Sequence, residues 1–143
     1  MSINRILMKT NGSTIEGEGE FIMTMGQQSG QYGYSRYNAT MGEIEGKVSH
    51  EGKAVTLVIV SYYGGWLDFA FNVEGVTGGK YNVTLKVTSV ETNESVRIDF
   101  SSIQYQSYVP AFYEYTNTLP SDVATMFSAA NVGKKYRVEI IFN

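Results

Sequence analysis

The chain has 143 residues, the length of one domain, and its 43% hydrophobic and 17% charged residues exclude an intrinsically disordered protein. A formal charge of −3 argues against a nucleic-acid-binding protein, which needs a basic surface against the phosphates. The chain has no cysteine, which excludes disulfides, and no apolar run long enough for a membrane span or a signal peptide. We expect one domain over residues 1–143 that folds in the cytoplasm, with no nucleic-acid or membrane partner.

The first half of the chain shows the alternation of apolar and polar residues that is typical of β-strands. Phe21, Met23 and Met25 alternate with polar or small residues and predict a strand with one buried face. Residues 12–19 are rich in glycine and predict a loop or a weak edge strand. Residues 54–63 are almost continuously apolar and β-branched, which predicts a central strand buried on both faces.

A glycine pair divides this central strand from the next one. Gly64 and Gly65 predict a tight turn into a strand over residues 66–73, so that the two strands form a hairpin. Residues 81–90 then alternate regularly and predict a further strand. Residues 96–100 continue the alternation on the strand that returns beside it.

A proline, a short helix and a last strand organise the end of the chain. Pro110 interrupts the aromatic residues 105–115, which predicts an edge strand or a strand, a loop and a second strand. Residues 136–142 alternate and predict the final strand. Between them, Ser121 predicts the N-cap of a helix of about ten residues, whose inward positions are Val123, Met126, Phe127 and Ala130. The whole pattern predicts an all-β, antiparallel β-sandwich of about eight strands with one short helix near the C-terminus.

No pattern of residues marks a catalytic centre. His50 is the only histidine and lies in a polar stretch, which favours a solvated loop residue over a general base. Asp68 and Asp99 lie between apolar neighbours and are expected to point outward. Because the titratable residues are scattered and no nucleophile or phosphate-binding motif occurs, we expect neither an enzyme nor a cofactor.

Three glutamates form a weak candidate for a metal site. In an extended segment Glu16, Glu18 and Glu20 project to one side, and their oxygens suit a hard cation such as calcium. The same spacing suits a charged face that prevents edge-to-edge pairing of sheets, and we favour this second interpretation. We therefore expect no metal.

Two aromatic clusters are the candidate recognition surfaces, because exposed rings beside polar groups bind sugars and flat ligands. The candidate ligand-binding residues are Tyr32, Tyr34, Arg36 and Tyr37, which form the first cluster, and Trp66. Alternation places at least half of the aromatic residues of both clusters in the core or at the sheet margin, and this burial is the competing interpretation. The second cluster, around Pro110, contains Tyr105, Tyr108, Phe112, Tyr113 and Tyr115.

Several spaced segments carry a resemblance to a known kind of domain. They are Tyr32-Gly33-Tyr34-Ser35, Gly42-Glu43-Ile44 and Gly52-Lys53-Ala54-Val55, then Tyr113, Tyr115, Phe127, Val132-Gly133-Lys134 and Val138-Glu139-Ile140. In this order they resemble a small all-β domain that recurs in virion proteins of tailed bacteriophages, in tails, fibres or decoration proteins. The resemblance implies a non-enzymatic building block of the virion, made in the host cytoplasm.

Three functions follow as hypotheses. The leading one is a virion structural, decoration or attachment module that contacts other virion proteins or itself and forms a homo-oligomer. The second is a carbohydrate- or receptor-binding module that uses exposed aromatic residues on a surface glycan. The third is a small phage effector that binds a host defence protein.

Overall fold

The structure, a computed structural model, describes residues 20–31, 34–38 and 44–143. Over these ranges the chain is predominantly β, with one short helix, and its antiparallel sheet curls into a half-barrel. The helix α1 spans Val123–Met126, and a 3-10 turn follows at Ala129–Asn131. The strands are β1 (Glu20–Thr24), β2 (Gly26–Gln31), β3 (Tyr34–Asn38), β4 (Ile44–Glu45), β5 (Val48–His50), β6 (Lys53–Tyr63), β7 (Trp66–Val73), β8 (Lys80–Ser89), β9 (Ser95–Gln106), β10 (Ala111–Thr116) and β11 (Lys135–Phe142).

Hydrogen bonds join the described strands into one sheet. Their order is β2-β3-β6-β7-β10-β9-β8-β11-β1-β4, and β5 also pairs with β6. The predicted all-β, antiparallel class is thus confirmed, whereas the predicted sandwich of about eight strands is not. The reason is physical: alternation shows that one face of each strand is buried, but the same pattern results whether that face meets a second sheet or the inside of one curled sheet.

The predicted hairpin across the glycine pair is confirmed. Tyr63 pairs with Trp66, and the two glycines between them have φ of 56° and 86°. A two-residue hairpin turn requires such positive values, which glycine adopts at little cost. The prediction that β6 is buried on both faces is wrong in its first half, where Thr56 is exposed. An irregularity in the pairing lies between Leu57 and Ile59 and shifts the register of β6 against β7. The side chains that face the core are therefore not the same alternate set before and after this point.

Pro110 lies in a loop between two strands, which is the second of the two arrangements predicted for it. β9 ends at Gln106, Pro110 lies in the following turn, and β10 begins at Ala111. The edge-strand alternative is wrong, because β10 lies inside the sheet between β7 and β9. Since the proline is in the turn, neither ladder loses a hydrogen-bond donor.

The helix is shorter than its sequence pattern predicts. Asp122, not Ser121, occupies the N-cap, and the helix ends at Met126, because the next residue, Phe127, has a non-helical ψ of 72°. The predicted inward positions Val123 and Met126 are buried, as is Phe127, but Ala130 is exposed. An i, i+7 spacing keeps residues on one face only while the helix continues, and this one ends before its second turn is complete.

Aromatic side chains from the middle of the sheet form the centre of the core. The ring of Phe69 lies 5.2 Å from that of Phe100, and the rings of Phe71 and Phe112 stack at 5.5 Å, measured between centroids. The predicted inward residues Phe21 and Met23 of β1, and Met25 directly after it, are buried and belong to the same core. The predicted glycine-rich loop over 12–19 lies outside the described residues. In the described part of the chain, none of the helices has the length and apolarity to cross a bilayer.

Candidate functional site

The candidate site lies on the face of β3, β6, β7 and β10 that is opposite the core. In β7, Leu67 and Phe69 point to the core and are fully buried. The residues that alternate with them, Trp66 and Asp68, therefore point to the other face. Register brings further residues to this face, because Trp66 pairs with Tyr63 of β6 and Asp68 pairs with Tyr115 of β10.

An open cleft of about 200 Å³ lies between these side chains. Trp66 and Tyr115 stand side by side, with 5.5 Å between ring centroids and 55° between ring planes. Trp66 is 38% exposed and Tyr115 is 52% exposed, so both rings present part of their surface to solvent. We call this site the aromatic cleft, and its lining residues are Tyr63, Trp66, Asp68, Tyr113 and Tyr115.

The aromatic surface continues beyond the cleft along β10 and the turn before it. The ring of Tyr113 lies 6.0 Å from that of Tyr115 and 6.4 Å from that of Tyr108. Tyr108 is 72% exposed. With Trp66 at the other end, these four rings form a row in which each ring contacts the next.

An arginine and a carboxylate form the polar floor beside the rings. The guanidinium of Arg36 lies 4.0 Å above the ring centre of Tyr63. Its Nη1 donates a hydrogen bond to Ser61 Oγ at 3.0 Å and lies 3.6 Å from Asp68 Oδ2. The ring contact and the hydrogen bond hold the guanidinium in place, so the ion pair with Asp68 is preorganised.

Burial changes the protonation of two groups in the cleft. It raises the pKa of the Asp68 carboxyl above its ordinary value, although the Arg36 charge and hydrogen bonds from Arg36 and Tyr113 oppose the rise. Burial, reinforced by the negative charge of Asp68, raises the pKa of the Tyr113 hydroxyl to about 12. At neutral pH Tyr113 is therefore a hydrogen-bond donor, and it faces an acceptor.

The structure brings together two of the five predicted ligand-binding residues, Arg36 and Trp66. Tyr37 lies on the other face of β3, where it packs against the core, and takes no part in the cleft. Tyr34 belongs to β3, but its side chain is outside the described part of the chain, as is Tyr32 altogether. The remaining rings come from the second predicted cluster and from Tyr63, which the sequence did not single out.

The structure corrects two predictions about titratable residues. Asp68 points outward, to the face opposite the core, as expected, but its side chain is only 14% exposed, because Tyr113, Tyr115 and Arg36 surround it. His50 was expected to be a solvated loop residue, but it ends β5 and its ring stacks on that of Phe142 at 3.9 Å. The residues that cover Asp68 and His50 come from strands distant in the sequence, so the polarity of the neighbouring residues does not predict this burial.

Other predicted residues are where the alternation placed them. Asp99 is exposed and accepts a hydrogen bond of 2.6 Å from Thr84 Oγ1. Glu20 is exposed and lies 4.0 Å from Arg137. Its partners in the weak metal candidate, Glu16 and Glu18, are outside the described residues. Within the described ranges, no three His, Cys, Asp or Glu side chains come together as a metal site would require.

Comparison with known proteins finds nothing similar: no family model, no curated protein and no solved structure matches this chain.

Proposed function

We propose that this chain is a non-enzymatic binding module that recognises a carbohydrate through the aromatic cleft. The observation that carries the proposal is the row of four rings beside a fixed polar pair. Sugar rings have apolar C–H faces that stack on aromatic rings and hydroxyl edges that need hydrogen-bond partners. The Trp66 and Tyr115 faces provide the first kind of contact, and Asp68 and Arg36 provide the second.

Charge and size favour a sugar over other flat ligands. Arg36 and Asp68 neutralise each other across 3.6 Å, so the cleft offers no net positive charge to the phosphate of a nucleotide. The cleft of about 200 Å³ is smaller than the sites that enclose drug-sized molecules, and it suits one ring of a longer chain. The rings of Tyr113 and Tyr108 continue the row, so neighbouring units of a surface glycan have a place to lie.

A glycan array with matched variants tests this proposal. We expect the wild-type protein to bind a limited set of glycans. Trp66→Ala and Tyr115→Ala should each weaken that binding about tenfold, the loss expected when a stacked ring and its buried area are removed. Ile44→Ala is the matched control, because Ile44 is 39% exposed, almost the same as Trp66, but lies in β4 at one end of the sheet.

Two results would contradict the carbohydrate proposal. One is the absence of signal on every glycan with protein whose fold circular dichroism shows to be intact. The other is an equal loss of binding in Ile44→Ala and Trp66→Ala, which would mean that the ligand does not depend on the cleft.

A second candidate function, a self-associating virion building block, draws support from the ends of the sheet. Among the described strands, β2 and β4 are at the two ends of the order, and each pairs on one side only. Such edges present unpaired N–H and C=O groups to another chain unless charges or prolines protect them. The sequence of β2, GQQSGQ, has neither. This favours pairing between copies along β2 and agrees with the resemblance to phage virion domains.

Light scattering after size exclusion tests the second candidate. We expect dimers or trimers at micromolar concentration, and a shift to monomers in Gln28→Lys, which places a charge on the exposed edge strand. Gln104→Lys is the control, because Gln104 is also exposed but lies in β9, inside the sheet. A wild-type protein that stays monomeric at all concentrations would overturn this candidate and leave the carbohydrate proposal unaffected.

A further inference from the structure

A second pocket lies away from the aromatic cleft, between the β8–β9 turn and the short helix. It has a volume of about 220 Å³. Its floor is apolar, because Val96 and Met126 line it and are buried. Polar side chains surround this floor, among them Glu91, Glu94, Asp122, Asn131, Lys134 and Tyr136.

The charged and amide side chains of this pocket leave mostly hydrogen-bond acceptors for a ligand. Its one cationic side chain, Lys134, lies 3.1 Å from Glu91 and is neutralised by it. The amide nitrogen of Asn131 already donates to the carbonyls of Thr125 and Met126, which leaves its oxygen as an acceptor. Among the described residues, the carboxylates of Glu94 and Asp122 have no cationic partner. The pocket therefore has a net negative charge.

A buried hydroxyl that has no hydrogen-bond partner among the described residues marks the pocket as a binding site. Tyr136 is 1% exposed, yet no hydrogen bond joins its hydroxyl to a residue that the structure describes. Buried polar groups are nearly always hydrogen-bonded, so an unpaired one indicates a missing ligand or water. Tyr136 lines the pocket together with Glu91, and the charge of Glu91 reinforces the rise that burial causes in the pKa of the Tyr136 hydroxyl.

These features select the ligand by charge and by hydrogen bonding. A bare metal ion does not fit, because no three acidic or histidine side chains among the described residues come close enough to share one. A ligand with several N–H donors and a positive charge would satisfy separate acceptors at once. A short apolar stem on that ligand would cover Met126 and Val96.

We propose that this pocket binds the ammonium group of an aliphatic amine, with Glu94, Asp122 and the Tyr136 hydroxyl as its acceptors and Met126 beneath its stem. Free polyamines and the lysine side chain of a partner protein both have such an ammonium group on an aliphatic chain. The proposal is independent of the aromatic cleft.

Titration of the full chain with putrescine, followed by amide NMR, tests the proposal. We expect saturable shifts confined to residues 89–96 and 122–136, and none with butanol, which has the stem without the charge. Asp122→Asn and Glu94→Gln should each weaken binding about fivefold, since each removes one charge-assisted interaction. Glu74→Gln is the control, because Glu74 is exposed and does not line the pocket.

Tyr136→Phe provides a variant whose fold is at little risk. It removes only the unpaired hydroxyl, so we expect an unchanged or higher melting temperature together with binding weakened about threefold. A lysine-containing peptide and its N-acetyl-lysine form distinguish the two sources. Tighter binding of the unmodified peptide than of putrescine indicates a partner protein, and equal binding indicates a free amine. Equal shifts with butanol, or unchanged binding in Asp122→Asn and Tyr136→Phe, would overturn the proposal.

Discussion

The ion pair in the floor of the aromatic cleft gives the sharpest prediction about stability. Removing one member of a fully buried pair lowers the free energy of unfolding by about 3–5 kcal/mol, whereas an exposed pair contributes about 0–1 kcal/mol. The side chains of Arg36 and Asp68 are 28% and 14% exposed, so the pair lies between these limits. Solvent screens Arg36 more than Asp68. We expect Arg36→Gln to lower the free energy of unfolding by about 2 kcal/mol, including the lost contact with Tyr63.

A double-mutant cycle separates the ion pair from the other contacts of Arg36. Asp68→Asn should change the free energy of unfolding little, because burial outweighs the Arg36 charge in its effect on the carboxylate, and the double variant should cost about 1 kcal/mol less than the sum of the two single variants. Urea unfolding measures each free energy. Additive effects of the two substitutions would show that Arg36 and Asp68 are not coupled and would refute the reasoning.

The same pair has a predictable dependence on pH. Burial raises the pKa of Asp68 above its ordinary value of 3.8, so Asp68 contributes stability at low pH that is lost as the pH rises through the folded-state pKa. Arg36 opposes this rise, and removing it raises the pKa of Asp68 further. The destabilisation caused by Arg36→Gln should therefore be smaller at about pH 4 than at neutral pH. An equal cost at both pH values would contradict the proposed role of the Asp68 charge.

Three further predictions concern single positions. Gly46→Ala should lower the free energy of unfolding by at least about 2 kcal/mol, because Gly46 has φ of 115° and an added methyl would collide with the Glu20 carbonyl. Gly52 also has a positive φ but lies in open space, so Gly52→Ala should cost less in the same urea unfolding experiment. Phe71→Ala should cost about 3–5 kcal/mol, since its fully buried ring stacks on another in the core; a loss below 1 kcal/mol in the same assay would contradict this packing. The Tyr113 hydroxyl, with its pKa raised from 10.0 to about 12, gives stability that is lost as the pH rises through that window, so thermal melts of Tyr113→Phe should depend less on pH there.

Sequence alone predicted most of the strands, because a half-buried strand repeats every two residues wherever it occurs. Phe21, Met23 and Met25 are buried as their alternation predicts, and the hairpin follows from two glycines that permit positive φ. The single curled sheet could not be predicted, since it depends on which strands become neighbours. The length of the helix was wrong for a local reason, because its pattern of apolar residues extends further than its helical backbone.

The candidate site was predicted in part for the same reason. Trp66 and Arg36 were candidates because of their residue types, and the rings around Pro110 were recognised as a separate cluster. Their meeting depends on the pairing of β10 with β7, which joins segments far apart in the chain. The outward direction of Asp68 follows from the alternation, but its burial does not, because Tyr113 and Tyr115 cover it from another strand.

The fluorescence of Trp66 tests the central claim most directly. It is the only tryptophan of the chain and it lines the aromatic cleft, so its emission reports on this site alone. On titration with a glycan that binds on the array, we predict a saturable change in emission whose midpoint matches the dissociation constant from calorimetry. Binding by calorimetry with unchanged Trp66 emission would contradict the claim that this cleft holds the sugar.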